Sequence, residues 1–301
     1  MEFGKTPPQT LSSIDFTLPD DHPDNSRFLS GSRSDISETL FVGCAKWGRK
    51  DWIGSIYPPG TREADFLRLY AENFNSIELN ASFYKTPSRK QTEAWSAQTG
   101  PGFLFCPKVP NSISHIHRLK NIDDRLRYFL DGLAGFGPHL GGVLLMLHPQ
   151  MGPKSLETLD NFLQKIPDDL KIFIELRNEA WYDPSAFDEV CDMFQRNNAG
   201  AVITDVAGRR DCAHMRLTTD EAFIRFVGND LHETDYRRVD DWVERIGHWI
   251  NAGIRRVYFF LHQETEVNSP LIARYAAERF NAALGAKLVV PTLFGGNPGP
   301  A

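Results

Sequence analysis

Eight short apolar runs recur along the chain, and stretches of helical period separate most of them. The runs are Leu40–Ala45, Ser76–Asn80, Phe103–Lys108, Gly142–Leu147, Lys171–Leu176, Ala201–Asp205, Phe223–Val227 and Arg256–Leu261. Their length and their β-branched and aromatic content read as strands. In the gaps, Phe66, Leu69, Tyr70 and Phe74 recur at helical spacing, and Val239, Trp242, Val243, Ile246, Trp249 and Ile250 form one apolar stripe. Ser88-Arg-Lys-Gln91 has the capping-box spacing, in which a serine oxygen accepts from an orphan amide of the first turn. Asp183-Pro184 and Ser269-Pro270 each set a capping residue before a proline at the first helical position. The weakest gap lies between the sixth and seventh runs, where Ala207–Thr219 shows no clear helix. A helix after each strand returns the chain to the same end of the sheet, so the strands are expected to be parallel. Eight such units predict a single (β/α)8 barrel of TIM type, an α/β fold that leaves no edge strand. The alternative is an open doubly wound sheet, but no GxGxxG or GxxxxGK[ST] loop of that class follows any run.

The chain has 301 residues, and barrels of this kind fill about 250. The surplus falls at the ends. Residues 1–38 are rich in Pro, Ser and Asp with little apolar periodicity, and are expected to be a disordered tail. The barrel is expected over 39–290, followed by a Gly/Pro-rich stretch, 291–301, that frays. The longest apolar runs are far too short to span a bilayer, so no membrane partner is expected. A formal charge of −6 disfavours, without excluding, a nucleic-acid partner, because binding to a phosphate backbone draws on a basic face. The four cysteines form no CxxC pair and no secretion signal opens the chain. Reduced thiols and a cytoplasmic location are the expectation.

In barrels of this kind the active groups stand where strands run into the following loops. Read there, the sequence offers Lys46-Trp47-Gly48 after the first strand and Glu78-Leu79-Asn80, then Phe83-Tyr84, at the second. Lys108 closes the third, with His115 and His117 beyond it, and His148 and Gln150 follow the fourth. Glu175 and Arg177 end the fifth, with Trp181 downstream, and Asp205 ends the sixth. Arg225 lies in the seventh, and His262 follows the eighth.

These segments carry a resemblance. Trp52–Pro59 (WIGSIYPP), Phe74–Pro87 (FNSIELNASFYKTP) and Phe103–His115 (FLFCPKVPNSISH) are similar, in this order, to motifs of the YecE-like family. Glu175-Leu-Arg177-Asn-Glu-Ala-Trp181 resembles that family's E-x-R-x-x-x-W, and Thr204-Asp205 and Arg225 match later positions. The similarity covers residues 40 to about 284. It implies a barrel and supplies no assigned reaction. Departures cluster at the fourth, seventh and eighth strands, where this chain reads Met146-Leu-His148-Pro149, Arg225-Phe-Val-Gly228 and Tyr258-Phe-Phe-Leu-His262-Gln263.

Glu78, Glu175 and Asp205 are candidate catalytic carboxylates, since paired carboxylates with separated pKa values do acid–base work. The competing expectation is that they pair with Arg177 or Arg225, as buried carboxylates must. Lys108 is a candidate anion or oxyanion group ahead of a Schiff-base nucleophile. Arg177 and Arg225 are suited to a two-pronged grip on phosphate or carboxylate. Trp47, Asn80, Tyr84, His115, Trp181 and His262 complete the candidate binding residues, with aromatic packing as the alternative role for the rings. Four histidines near carboxylates permit a metal, but no diagnostic spacing names one, and no pattern names a cofactor. The leading reading is an enzyme, of hydrolase or lyase type, acting on a small polar or anionic ligand that is sugar- or phosphate-like. The alternatives are a metal-dependent phosphodiesterase of endonuclease type and a metabolite-binding module without chemistry.

Overall fold

The computed structural model describes residues 3–29 and 31–295. Eight strands form: β1 (Leu40–Gly43), β2 (Ser76–Leu79), β3 (Leu104–Pro107), β4 (Val143–Met146), β5 (Ile172–Glu175), β6 (Gly200–Asp205), β7 (Glu221–Val227) and β8 (Arg256–His262). All the pairings among them are parallel. The helices are α1 (Ile36–Thr39), α2 (Phe66–Asn73), α3 (Ala81–Tyr84), α4 (Arg89–Ser96), α5 (Asp123–Ala134), α6 (Leu156–Leu163), α7 (Pro184–Arg196), α8 (Glu233–Asn251) and α9 (Ser269–Leu284). The apolar stripe of α8 is buried along its length. Ser88 caps α4 as its spacing predicts, with Oγ accepting from the Gln91 amide. The connection from β6 to β7 carries only a short turn, Arg210–Cys212.

The sheet differs from a continuous eight-strand ring. Six strands form one curled sheet in the order β1-β8-β7-β6-β5-β4, and β2 and β3 form a separate pair. Side chains explain the interruption between β1 and β2. Asn75 Oδ1 accepts from the Val42 amide at 2.7 Å, and Asn75 Nδ2 donates to the Leu40 carbonyl at 2.9 Å. The Tyr70 hydroxyl likewise accepts from the Cys44 amide. These groups take the places of ladder bonds. One backbone bond remains at this join, from the Glu78 amide to the Cys44 carbonyl at 3.1 Å. Between β3 and β4, Pro107 and Pro110 supply no amide donor. The Gly141 amide still donates to the Phe105 carbonyl and the Val109 amide to the Leu144 carbonyl, each at 2.8 Å.

Alternation along the strands splits the core in two. Phe41, Leu104, Cys106, Leu144, Phe173, Val202, Phe223, Tyr258 and Phe260 form a cluster of their own on the inner face. A larger apolar layer joins the outer face to the helices. Side chains two residues beyond an inner one point the same way. Lys108, Glu175, Thr204, Arg225 and His262 therefore continue the inner rows toward the C-terminal ends of the strands.

The N-terminal segment is ordered, against the expectation of a disordered tail over 1–38, and residues 1, 2 and 30 of that span lie outside the described residues. Its anchors are mostly polar. Asn25 is buried, donating to the Met215 carbonyl at 2.9 Å and accepting from the Leu217 amide at 2.8 Å. Asp21 accepts from Arg245 and Trp249 on α8, and Asp24 pairs with Arg216. Leu11 adds a buried apolar side chain. Composition suggested disorder because it counts apolar residues, whereas this segment is held by side chains that satisfy the helix-free connection between β6 and β7. At the other end, the Phe294 amide donates to the Ser55 carbonyl, and residues 296–301 of the expected fraying stretch lie outside the described residues. No described helix is long and apolar enough to cross a membrane.

Candidate functional site

The inner rows converge on one guanidinium. Arg225 Nε and Nη2 donate to the two oxygens of Glu78 at 2.8 and 2.9 Å, and Nη1 donates to Glu175 Oε1 at 2.7 Å. Thr204 Oγ1 donates to the same Glu175 oxygen at 2.9 Å, and Arg177 Nη2 donates to the other at 2.8 Å. On the far side of Glu78, His262 Nε2 lies 3.2 Å from Oε2, and His262 Nδ1 lies 3.2 Å from Glu266. Asn80 Nδ2 donates to Glu78 Oε1 at 3.1 Å. Glu78, Glu175, Arg225 and His262 are all buried, and a buried charge needs this degree of pairing.

The electrostatics follow from those partners. Burial alone would raise the Glu78 carboxyl, but the Arg225 and His262 charges hold it well below the usual carboxylate range. Glu175 is likewise desolvated, yet Arg177, Arg225 and Lys108 bring it down to about 2. Both carboxylates are thus ionised, and neither is tuned to act as a general acid. Burial opposes the charge on His262, while Glu78 and Glu266 outweigh it and raise the imidazole above its ordinary value.

Lys108 behaves differently. It is 6% exposed, and among the described residues Nζ has no ion-pairing partner within 4.0 Å; its nearest recorded contact is the Phe83 ring, 4.7 Å away. Burial first, and then the Arg225 charge, lower it to about 8. Arg177 Nε is also buried without a hydrogen-bond partner. Three carboxylates (Glu78, Glu175 and Glu266) therefore face Lys108, Arg177, Arg225 and, when protonated, His262. The cations are in surplus by one, and the surplus has unused N–H donors at Lys108 and Arg177.

A single π-helical turn, Ser112–Ile116, follows β3 and brings His115 to this edge, a distortion frequent at functional sites. The His115 ring is 5.0 Å from Phe83 and 5.3 Å from His148. Burial, then His148 and Lys108, lower His115 to about 4, so it is a neutral imidazole near pH 7.

Other expected residues lie elsewhere. Asp205 is one residue past the inward Thr204, so it turns outward to Arg238, Arg210 and the Trp242 indole, between β6 and α8. Trp47 packs edge-on against Trp95 and Phe105. Trp181 is buried under a loop, its indole donating to the Met151 carbonyl. Tyr84 is 76% exposed, and its ring meets that of Phe83 at 5.2 Å. Strand-end position was the signal for these four, joined for Tyr84, Trp181 and Asp205 by a place in the family-like motifs, and neither signal specifies a face. Glu266, Thr204, Arg209 and Phe3 were not anticipated. Glu266 stands four residues after His262 and Thr204 shares the inner parity of Glu175, both readable patterns, whereas nothing local marks Phe3.

Phe3 covers the site from the solvent side, its ring 3.9 Å from the Arg177 guanidinium. The charged groups interlock through the bonds given above. A cleft of about 550 Å³ opens at the opposite ends of the strands beside Leu40, Phe41, Phe74, Leu104 and Arg256. Its lining is mainly apolar and holds none of the interlocked charges, so the chemistry points to the other end. No three His, Cys, Asp or Glu side chains among the described residues are arranged to hold a metal ion.

Comparison with known proteins sets the site in context. A family model described as "Protein of unknown function DUF72" matches residues 41–292. The UPF0759 protein YecE of Escherichia coli (strain K12) is 24% identical over 273 residues, covering 84% of this chain and 97% of that protein. Two solved DUF72 family proteins share the fold. One, from Enterococcus faecalis V583, has a TM-score of 0.63 at 16% identity, covering 82% of this chain and 99% of that one. The other, from Thermotoga maritima MSB8, has a TM-score of 0.62 at 20% identity, with the same coverage, 82% and 99%.

Proposed function

Since the chain belongs to the DUF72 family, whose description carries no reaction, we propose a function from the site alone: it binds a small anion, a carboxylate or phosphate group, between Lys108 and Arg177. The observation that carries this reading is Lys108 itself, a buried ammonium with no carboxylate in contact beside a cluster whose other charges are paired. An anion at Nζ would neutralise the surplus and satisfy Arg177 Nε with it. Glu78, Glu175 and Arg225 serve as the frame that orients Arg177 and positions the lysine, not as the acid and base of the reaction.

The same lysine supports an enzyme reading. An amine lowered to about 8 is partly neutral at physiological pH, so it can take a proton from a bound acid or stabilise developing negative charge. A sugar- or phosphate-like substrate and chemistry of hydrolase or lyase type fit that role. The metal-dependent phosphodiesterase is disfavoured by charge, because a divalent cation would sit among three permanent or near-permanent cations. The reading includes closure of the eight strands into a barrel of TIM type, supported by the backbone bonds at the two joins, one between β1 and β2 and two between β3 and β4. It also includes a reducing, cytoplasmic setting, supported by four free, buried cysteines.

Calorimetric titration with inorganic phosphate and with acetate tests the site. Saturable binding is expected in the wild type and a loss of about ten- to a hundredfold in Lys108→Met, the range of one hydrogen bond to a charged group. Equal affinity in the two proteins would remove Lys108 from the site. Binding without turnover on any carboxylate or phosphate substrate would favour the metabolite-binding module over the enzyme.

A further inference from the structure

The solvent side of the charged cluster is occupied by an aromatic ring. Phe3 lies 3.9 Å from the Arg177 guanidinium, and the Arg209 guanidinium is 5.1 Å from the same ring. Arg209 also stands 5.5 Å from the Tyr182 ring. Two guanidinium groups thus frame a slot suited to a flat π-system, which they attract through its quadrupole and by stacking.

The segment that delivers Phe3 is lightly held. The Gly208 amide donates to the Gly4 carbonyl at 2.9 Å, and Lys5 pairs with Glu264 beyond β8. Gly4 has φ +68°, and an added Cβ would fall 2.7 Å from Val206, so glycine is what lets the chain run this close. Residues 3–6 contribute no buried side chain, and the firm anchors come later, at Leu11 and Asn25. Of the core, lifting this stretch would uncover Val206, the buried side chain that packs on Gly4. The stretch also lies outside the span matched by the family, residues 41–292.

We infer that the site takes an anion carried on an aromatic ring, an aryl phosphate or aryl carboxylate, and that Phe3 holds the ring's place in the free protein. The inference rests on the anion-binding reading above and adds the ring to it. The ligand's ring replaces Phe3 on the Arg177 and Arg209 guanidinium groups, while its anion meets Arg177 Nε and Lys108 Nζ, the donors left without partners. The exchange makes and breaks no covalent bond. It trades one ring–cation contact for another and gains the anion's hydrogen bonds.

Calorimetry on the full chain, as wild type, Phe3→Ala and Lys108→Met, tests this with phenyl phosphate, benzoate, inorganic phosphate and acetate. In the wild type the aryl anions are expected to bind within a few fold of their ring-free counterparts, because the ring exchange is nearly neutral. Phe3→Ala should tighten the aryl anions about five- to tenfold, the worth of one ring–cation contact no longer competing, and leave the ring-free anions within about twofold. Lys108→Met should weaken all four, and the better of the two aryl anions identifies the head group. If Phe3→Ala leaves the ratio of aryl to ring-free affinity unchanged, or weakens the aryl anions, the placeholder is overturned while anion binding stands. If neither the wild type nor Phe3→Ala binds any probe, the anion-binding reading falls and this inference falls with it.

Discussion

Arg225 on β7 holds both carboxylate oxygens of Glu78 on β2, at 2.8 and 2.9 Å, across the interior between strands that are not neighbours in the sheet. Both side chains are fully buried, and the third guanidinium nitrogen holds Glu175. Arg225→Met would take from two buried carboxylates the cation they share, leaving Glu78 with His262 and Glu175 with Arg177. A loss of about 3–5 kcal/mol is expected, since breaking a buried pair from one side leaves an uncompensated charge. Chemical denaturation reads it. The triple variant that also carries Glu78→Gln and Glu175→Gln should recover most of the loss, and a triple variant no more stable than Arg225→Met would show that the three side chains are not coupled.

Lys108 should make stability rise with alkalinity. Its folded value, about 8, lies below its ordinary value of 10.5. Below pH 8 both states hold the proton and the folded state bears the cost of burying it. Between pH 8 and 10.5 the folded protein releases the proton while the unfolded chain still binds it, so the folded state gains in this window. The full span is on the order of 3 kcal/mol. Denaturation of wild type and Lys108→Met at pH 7, 8, 9 and 10 isolates the effect from other groups. A constant difference between the two proteins over that range would contradict the assignment. Anion affinity should move the opposite way, weakening as pH passes 8.

His262 has the reverse sign. Its folded pKa is raised above 6.5 because Glu78 and Glu266 outweigh the cost of burial. Its contribution is fully present below pH 6.5 and is lost as pH climbs through the folded value. The ring's carbon-bound proton signals in NMR should titrate with a midpoint above 6.5, and Glu78→Gln should bring that midpoint down. A midpoint at or below 6.5 in the wild type would mean that the imidazole does not share its proton with these carboxylates.

Much of this arrangement is legible in sequence, and the failures have a common form. The strands are marked by apolar runs, and the level of the site along them by where those runs end. Level is not face, however. Glu175, Arg225 and His262 each stand two residues after a buried inner phenylalanine, at Phe173, Phe223 and Phe260. Asp205 stands three after the inner Val202, and so it turns out to Arg238. Counting parity from the inner aromatics separates these cases without coordinates. The join between β1 and β2 is harder to foresee, because Asn75 substitutes a side-chain amide for ladder bonds, and no run length encodes that. Trp47 and Trp181 show a related limit: an aromatic beside a strand end packs under a loop as readily as it faces a ligand.

The N-terminal segment marks the furthest departure, and it leads to a direct test. Composition treats Pro, Ser and Asp as incapable of burying enough surface, yet Asn25 is 2% exposed and pairs with backbone groups about 190 residues away. Asn25→Ala would leave the Leu217 amide without its partner, while the Met215 carbonyl keeps the His22 amide at 3.3 Å. An unsatisfied buried amide costs about 1–3 kcal/mol, and a loss of about that size is expected. Hydrogen exchange at the Leu217 amide should accelerate by the corresponding factor, because its protection depends on the Asn25 side chain. A disordered tail would give neither effect: stability and exchange would match the wild type, and the segment would have to be taken off the flank of α8.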